Sequence, residues 1–270
     1  MNKVYNTVWN ESTGMWVVTS ELTRKGGRRP RQIRRTALAG LIAGLLLPSA
    51  PALATDYNNE TLGSGGTSSS MSLSAGDTAT NTTINSGGFQ YVSSGGSATS
   101  TTINSGGQQR VSSGGSATGT TINSGGYQNV SSGGSAVDIT QNSGGIIFAD
   151  TSATLRGTNI NGSFSIAGGS ASNMLLENGG YLSVLNGHQA TSTTINSGGF
   201  QYVYSGGSAT STTINSGGML SVSSGGSAVD ITQNSGGIIF ADTSDTLRGT
   251  NINGSFSIAG GSASNMLLEN

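Results

Sequence analysis

A nineteen-residue unit, seen cleanly at residues 98–116 as ATSTTINSGGQQRVSSGGS, repeats along most of this chain and limits what it can fold into. Copies begin at Ala79, Ala98, Ala117, Ala136, Leu155, Ala171, Ala190, Ala209, Ala228 and Leu247; those from Leu155 and Leu247 are sixteen residues long, and an eleventh copy starts at Ala263. A longer period overlies the short one. Residues 130–178 recur at 222–270, with Ala153 replaced by Asp245 as the only change.

A unit this small cannot bury a core alone, so neighbouring copies must stack and share one interior. Each copy reads as strand, Asn-Ser-Gly-Gly corner, strand, Ser-Gly-Gly corner. The runs TTI and FQYV suit extended backbone, and the glycine pairs allow turn conformations closed to other residues. Helix is excluded by the Gly, Ser, Thr and Asn content and by the apolar spacing. The expectation is an all-β solenoid of about ten rungs.

Side chains alternate between the faces of a strand. The fourth, sixth, twelfth and fourteenth positions of each unit share one parity and are expected inside: Met174, Leu176, Leu182 and Val184 in one copy, Thr212, Ile214, Leu220 and Val222 in another. At the twelfth position Gln90, Gln109, Gln128 and Gln201 alternate with Ile147, Leu182, Leu220 and Ile239. An inward glutamine needs partners, and strands about 4.8 Å apart let stacked amides supply them. Gln90, Gln109 and Gln128 are expected to form one ladder, and Asn85, Asn104, Asn123 and Asn142 another at the corner.

The opposite parity places Phe89, Tyr91, Tyr127, Phe148, Tyr181, Phe200, Tyr202 and Phe240 in an outward stripe. A contiguous apolar surface of this kind marks an interaction site, and the stripe is the candidate adhesive face. The competing reading is that a neighbouring loop or the rung's own third side covers it.

Charge divides the chain. Residues 1–54 hold eight of the eleven Lys and Arg, both tryptophans and all three prolines; residues 55–270 hold three bases against ten acids, a net of about −7. That balance excludes a nucleic-acid partner. Within the first part, a basic run (Arg24, Lys25, Arg28, Arg29, Arg31, Arg34, Arg35) precedes the apolar run TALAGLIAGLLL at 36–47. Ala52, Leu53 and Ala54 then supply small residues for cleavage between Ala54 and Thr55. This is the order of a secretory signal peptide engaging the export machinery. A membrane anchor is the alternative, but some twelve apolar residues are too few for a core of about 30 Å. The domain expectation is an extended signal peptide over 1–54, a cap or degenerate rung over 55–78, and the solenoid over 79–270. The absence of cysteine excludes disulfides and thiolate metal sites, and suits a chain exported unfolded through an oxidising compartment.

No catalytic constellation is evident, and the reading is non-enzymatic, with no cofactor and no metal. The single histidine, His188, lacks a second ligand; no G-x-S-x-G elbow or calcium-binding nonapeptide is present. Asp138 and Asp230, like Asp150 and Asp242, are equivalent corner residues of two copies rather than an acid pair. A polysaccharide lyase would need acids and bases clustered along one groove, and none is seen.

Two resemblances sharpen this reading. The segment MNKVYNTVWNESTGMWVVTSEL, with Tyr5, the Trp9-Asn10 pair, Trp16-Val17-Val18 and Ser20-Glu21-Leu22, resembles the extended signal peptide region of large Gram-negative autotransporters. The pattern NSGG-x-Q-x-V-x-SGG-x-A, as in Asn85 to Ala98, and the stretch FSIAGGSASNMLLENGGYLSVLNGHQAT at 164–191 resemble self-associating autotransporter adhesins of the diffuse-adherence and antigen 43 types. These resemblances imply a right-handed parallel β-helix that is exported across the inner membrane, and is displayed on the cell surface or secreted in the full-length protein. Its partners would be like passengers on neighbouring cells, or a host surface. A structural stalk, or a truncated fragment confined to the periplasm, is the alternative, because no translocator barrel follows in this sequence. The resemblance also implies a heptosyltransferase partner acting on Ser93, Ser94, Thr101, Thr102 and their equivalents. The other role for these hydroxyls is to serve turns and ladders.

Overall fold

The structure is a computed structural model that describes residues 5–20 and 53–267. The basic run at 24–35, the apolar run at 36–47 and Ala52 lie outside the described residues. The chain divides into two units, one up to Ala52 and one from Leu53 onward.

The described part of the first unit is an antiparallel hairpin of Tyr5–Asn10 and Met15–Ser20, in which Trp9 faces Trp16. Their rings meet edge to face at 5.5 Å. Gly14, at φ 62°, closes the turn.

The second unit is a parallel β-solenoid, and among the described residues every regular element is a strand. One turn of it is illustrated by the copy from Ala98, with strands at Ser97–Thr99, Thr102–Ile103 and Gln108–Val111. Each strand pairs in register with its equivalent one copy away: Ile103 lies beside Ile84 and Ile122, and Gln109 beside Gln90 and Gln128. The third strands stack into a nine-stranded sheet, and the first two of each turn join a 21-stranded sheet.

The corners show why each glycine of a pair is needed. In Asn104-Ser105-Gly106-Gly107 the Gly107 amide donates to the Asn104 carbonyl at 2.8 Å. Gly106 takes φ 74°, the positive angle required at the third position of a type II turn. Gly107 is needed for a different reason, since a Cβ there would lie 2.3 Å from the Ile84 carbonyl oxygen of the adjacent turn.

The inward parity is borne out: Met174, Leu176, Leu182, Val184, Thr212, Ile214, Leu220 and Val222 are all buried. The first position is buried as well, at Ala79, Ala98, Ala117 and Ala136. Parity does not anticipate this, because the third position takes a left-handed conformation (Asn81 φ 57°, Ser100 φ 57°) that bends the chain between the first two strands. Both sides of the bend therefore point inward.

Both ladders form. The Gln109 Nε2 donates to Gln90 Oε1 and Gln128 Nε2 to Gln109 Oε1, each at 2.7 Å. Thr101 and Thr120 hydroxyls donate to the same oxygens at 3.2 Å. At the corner Asn104, Asn123 and Asn142 each donate to the preceding asparagine at 2.8 Å. The buried Glu177 interrupts that column, accepting from the Gly144 amide at 2.6 Å, and the ladder resumes through Asn215 and Asn234.

The two sixteen-residue copies depart from the rung. They lack the Asn-Ser-Gly-Gly corner, and the chain doubles back instead: Thr154–Asn159 pairs antiparallel with Gly162–Ala167, which pairs antiparallel with Ser170–Ser172. Gly168 and Gly169, at φ 55° and 82°, form the second two-residue turn, whose twist needs two positive angles. The copy from Leu247 repeats the arrangement. Ahead of the first regular copy, Asp56–Asn58, Thr61–Leu62 and Ser70–Leu73 pair with Thr78–Thr80, Thr83–Ile84 and Phe89–Val92.

Candidate functional site: an aromatic ridge

Because the copy from Leu155 places no strand in the nine-stranded sheet, Ile146–Asp150 stacks directly on Tyr181–Val184. The register there slips by two residues, so Phe148, thirteenth in its unit, sits beside Tyr181, eleventh in its own. The slip merges two columns into one outward line of Tyr91, Arg110, Asn129, Phe148, Tyr181, Phe200, Met219 and Ile238.

Rings touch along the centre of this line. Phe148 lies 4.4 Å from Tyr127 and 4.6 Å from Tyr181, and Tyr181 lies 6.2 Å from Tyr202. Tyr202 continues to Phe200 at 6.4 Å, nearly parallel. Such contacts contribute about 0.5–1.5 kcal/mol each beyond the area they bury. Five of the eight expected stripe residues thus form one ridge. Phe89 and Tyr91 stack as a separate pair at 6.3 Å, set apart by Gln108 and Arg110. Phe240 is exposed and lies beside Ser221.

The ridge opens to water at Tyr202, which is 38% exposed, whereas Tyr127, Phe148, Tyr181 and Phe200 are half-buried among their neighbours; Tyr91 and Phe240, 39% and 54% exposed, stand apart from it. Burial pushes the ionisation of the Tyr181 phenol above the usual tyrosine range, helped by Tyr127, Tyr204, Asp150 and Tyr202 beside it. It remains a neutral hydrogen-bonding group at physiological pH. Tyr204, 46% exposed, extends the ridge and shares with Phe148, Tyr181 and Asp150 a recess of about 210 Å³. Sequence parity passes over Tyr204 because it occupies the corner position after the third strand, which is Ser in four of the eight nineteen-residue copies and Asp or Leu in three others; an aromatic residue there is its signal in the sequence.

The other singled-out residues are placed as follows. Ser94 is exposed at a corner, Ser93 is half-buried and donates to the Leu73 carbonyl at 3.0 Å, and Thr102 is half-buried. Thr101 must be corrected as a sugar acceptor: it is 1% exposed, and its hydroxyl is spent on Gln90 inside the rod. Its place at the fourth position is an inward one. His188 Nδ1 lies 2.8 Å from the Thr151 hydroxyl. Asp150 accepts from the Ser152 amide and hydroxyl, and Ser244 holds the Asp242 carboxyl below its usual range in the same way. Asp138 and Asp230 take φ 55° at the bend. Ala54 is exposed, and the Thr55 amide donates to Asp77 Oδ1 at 2.7 Å.

Comparison with known proteins fits this architecture. The family model for the adhesin of the bacterial autotransporter system, described as a probable stalk, matches residues 58–107 and 156–218. The model for the extended signal peptide of the type V secretion system matches residues 1–50. Autotransporter CRAC of Citrobacter rodentium is 83% identical over an alignment of 205 residues that covers 69% of this chain and 13% of that protein. Autotransporter adhesin/invasin TibA of Escherichia coli is 82% identical over 92 residues, 34% of this chain and 9% of TibA. The chain therefore spans only a small part of the curated relatives it matches. A crystal structure of a TibC-catalysed, hyper-glycosylated fragment of TibA is 40% identical, covering 70% of this chain and 98% of that one, with a TM-score of 0.34. The extended signal peptide marks the chain for export. With that leader joined to a solenoid of adhesin repeats, the chain belongs to the passengers of autotransporter adhesins.

Proposed function

We propose that the chain is part of a cell-surface adhesin whose aromatic ridge binds like passengers on neighbouring cells or a host surface. The observation that carries this reading is the unbroken run of ring contacts from Tyr127 through Phe148 and Tyr181 to Tyr202, open to water at Tyr202 and the adjoining Tyr204. Exposed aromatics on a rigid sheet lose little side-chain entropy on binding, which makes them efficient anchors. The test is a settling assay of bacteria displaying the chain on a heterologous translocator barrel. Replacing Tyr202 and the adjoining Tyr204 by Ser should reduce clumping, or adhesion to host cells, at equal display. Unchanged clumping and adhesion would remove the ridge from the binding surface.

The matching family model is described as a probable stalk, and the register of the turns favours a second role as a rigid spacer. On that reading the ridge variants display normally and change nothing. Glycosylation is a further part of the proposal. The exposed Ser94 and its equivalents are acceptors for a glycosyltransferase, heptose being the sugar the resemblance implies, with Ser93 and Thr102 less accessible. Intact mass of the exported chain, with and without such a transferase, tests it.

A further inference from the structure

The hairpin excursions build a second kind of surface, on the sheet other than the one that carries the ridge. In the first excursion Asp138, Arg156, Ser165 and Ser172 line one side of an open recess of about 640 Å³, and Thr140, Thr158 and Ser163 the other. Strand pairing sets this order: Arg156 lies beside Ser165, Ser165 beside Ser172, and Thr158 beside both Thr140 and Ser163. Ile139, Gly157 and the buried Phe164 close the floor. Gly157 cannot carry a side chain, because a Cβ would lie 2.3 Å from the Ile139 carbonyl oxygen and 2.8 Å from the Phe164 ring.

Charge makes the recess unusual. From residue 55 onward the chain has three bases, Arg110, Arg156 and Arg248, and two of them sit in this recess and its duplicate. Arg156 is exposed and makes no ion pair among the described residues, although Asp138 lines the same hollow. The register shift between Ala136 and Ile139, with Asp138 at φ 55°, places that carboxylate at the bend. The second excursion repeats the set with Asp230, Arg248, Thr250 and Ser257 in a recess of about 720 Å³. Six strand-to-strand steps separate Thr154–Asn159 from Thr246–Asn251, or about 29 Å along the stack.

We propose that each recess binds a saccharide unit bearing one carboxylate. The guanidinium supplies the planar fork that pairs with a carboxylate. The row of hydroxyls and the Asp138 or Asp230 carboxylate match the ring hydroxyls of a sugar, each Ser or Thr able to donate and accept. Rows of side chains about 4.8 Å apart suit a pyranose spanning neighbouring strands. Two such sites on one rod give a ligand with several acidic termini an avidity that neither site has alone.

The test is calorimetric titration of the exported chain with three probes: sialyllactose, a glucuronate-terminated disaccharide, and lactose. Two sites per chain should bind at least one acidic probe at least tenfold more tightly than lactose, and which acidic probe binds identifies the sugar. Arg248→Gln should leave one site. Arg156→Gln with Arg248→Gln should bring acidic probes to the lactose level while the melting temperature is unchanged. Equal binding of lactose and the acidic probes, acidic binding untouched by the double variant, or no binding by any probe at millimolar concentration would overturn the proposal.

Discussion

The Gln109 amide donates at 2.7 Å to the Gln90 carbonyl oxygen one turn away and accepts from Gln128 at the same distance, so it is held from both sides inside the rod. Gln128 ends the run. Its Oε1 is buried with no partner, because Ile139 stands where Thr101 and Thr120 supply hydroxyls and Ile147 where the next glutamine would be. Replacing Gln109 by Leu strands the Gln128 amide and the Thr120 hydroxyl and should cost about 2 kcal/mol. Gln128→Leu, which copies Leu182 and Leu220, should be neutral or stabilising. Chemical denaturation of the two variants checks the contrast.

Asp245, the one difference between the long repeats, is 1% exposed and replaces the equally buried Ala153. One carboxylate oxygen accepts from the Asp242 amide at 2.7 Å, and the other has no partner. Asp245→Ala should therefore raise stability by about 1–3 kcal/mol, measurable as a higher denaturant midpoint at constant slope.

Asp77 ties the start of the solenoid together. Its carboxyl accepts the Thr55 and Ser74 amides, at 2.7 and 3.0 Å, and these hydrogen bonds lower its pKa below 3.8. A depressed folded-state value stabilises the fold above the unfolded pKa and is lost as pH falls through the folded one. The stability difference between the native chain and Asp77→Asn should thus be full at neutral pH and vanish in strong acid. Cleavage after Ala54 would put the Thr55 ammonium at Asp77, and intact mass of the exported chain should show Thr55 as its first residue.

Phe148 and Tyr202 both lie on the ridge but should respond differently to truncation. Phe148 is wedged between Tyr127 and Tyr181 at 4.4 and 4.6 Å, so Phe148→Ala should destabilise by about 3 kcal/mol. Tyr202 is 38% exposed, and Tyr202→Ser should cost less than about 1 kcal/mol while reducing adhesion. Thermal melts beside settling rates separate the two effects.

Corner glycines give a further check. Gly107→Ala would drive a Cβ to 2.3 Å from the Ile84 carbonyl oxygen in fixed backbone and should cost more than about 3 kcal/mol. Ser105→Ala, at an exposed position of the same corner, should change stability by less than about 0.5 kcal/mol. Denaturation midpoints of the two variants measure the difference.

The repeat alone settles the stacked unit, its corners and the inward parity. Each follows from local chemistry repeated at fixed spacing: glycine where φ must be positive or strands approach closely, alternation along each strand, and amides that recur one turn apart. It also placed the aromatic residues outward, but as two parallel columns. That the columns merge is visible in three dimensions alone, because whether the copy from Leu155 adds a rung or folds back depends on a lost corner, and the fold-back lets Phe148 meet Tyr181 across thirty-three residues of chain. The same holds for the two recesses. Arg156 and Ser172 look unrelated in a repeat read rung by rung, and they share a surface because antiparallel pairing carries Ser165 between them.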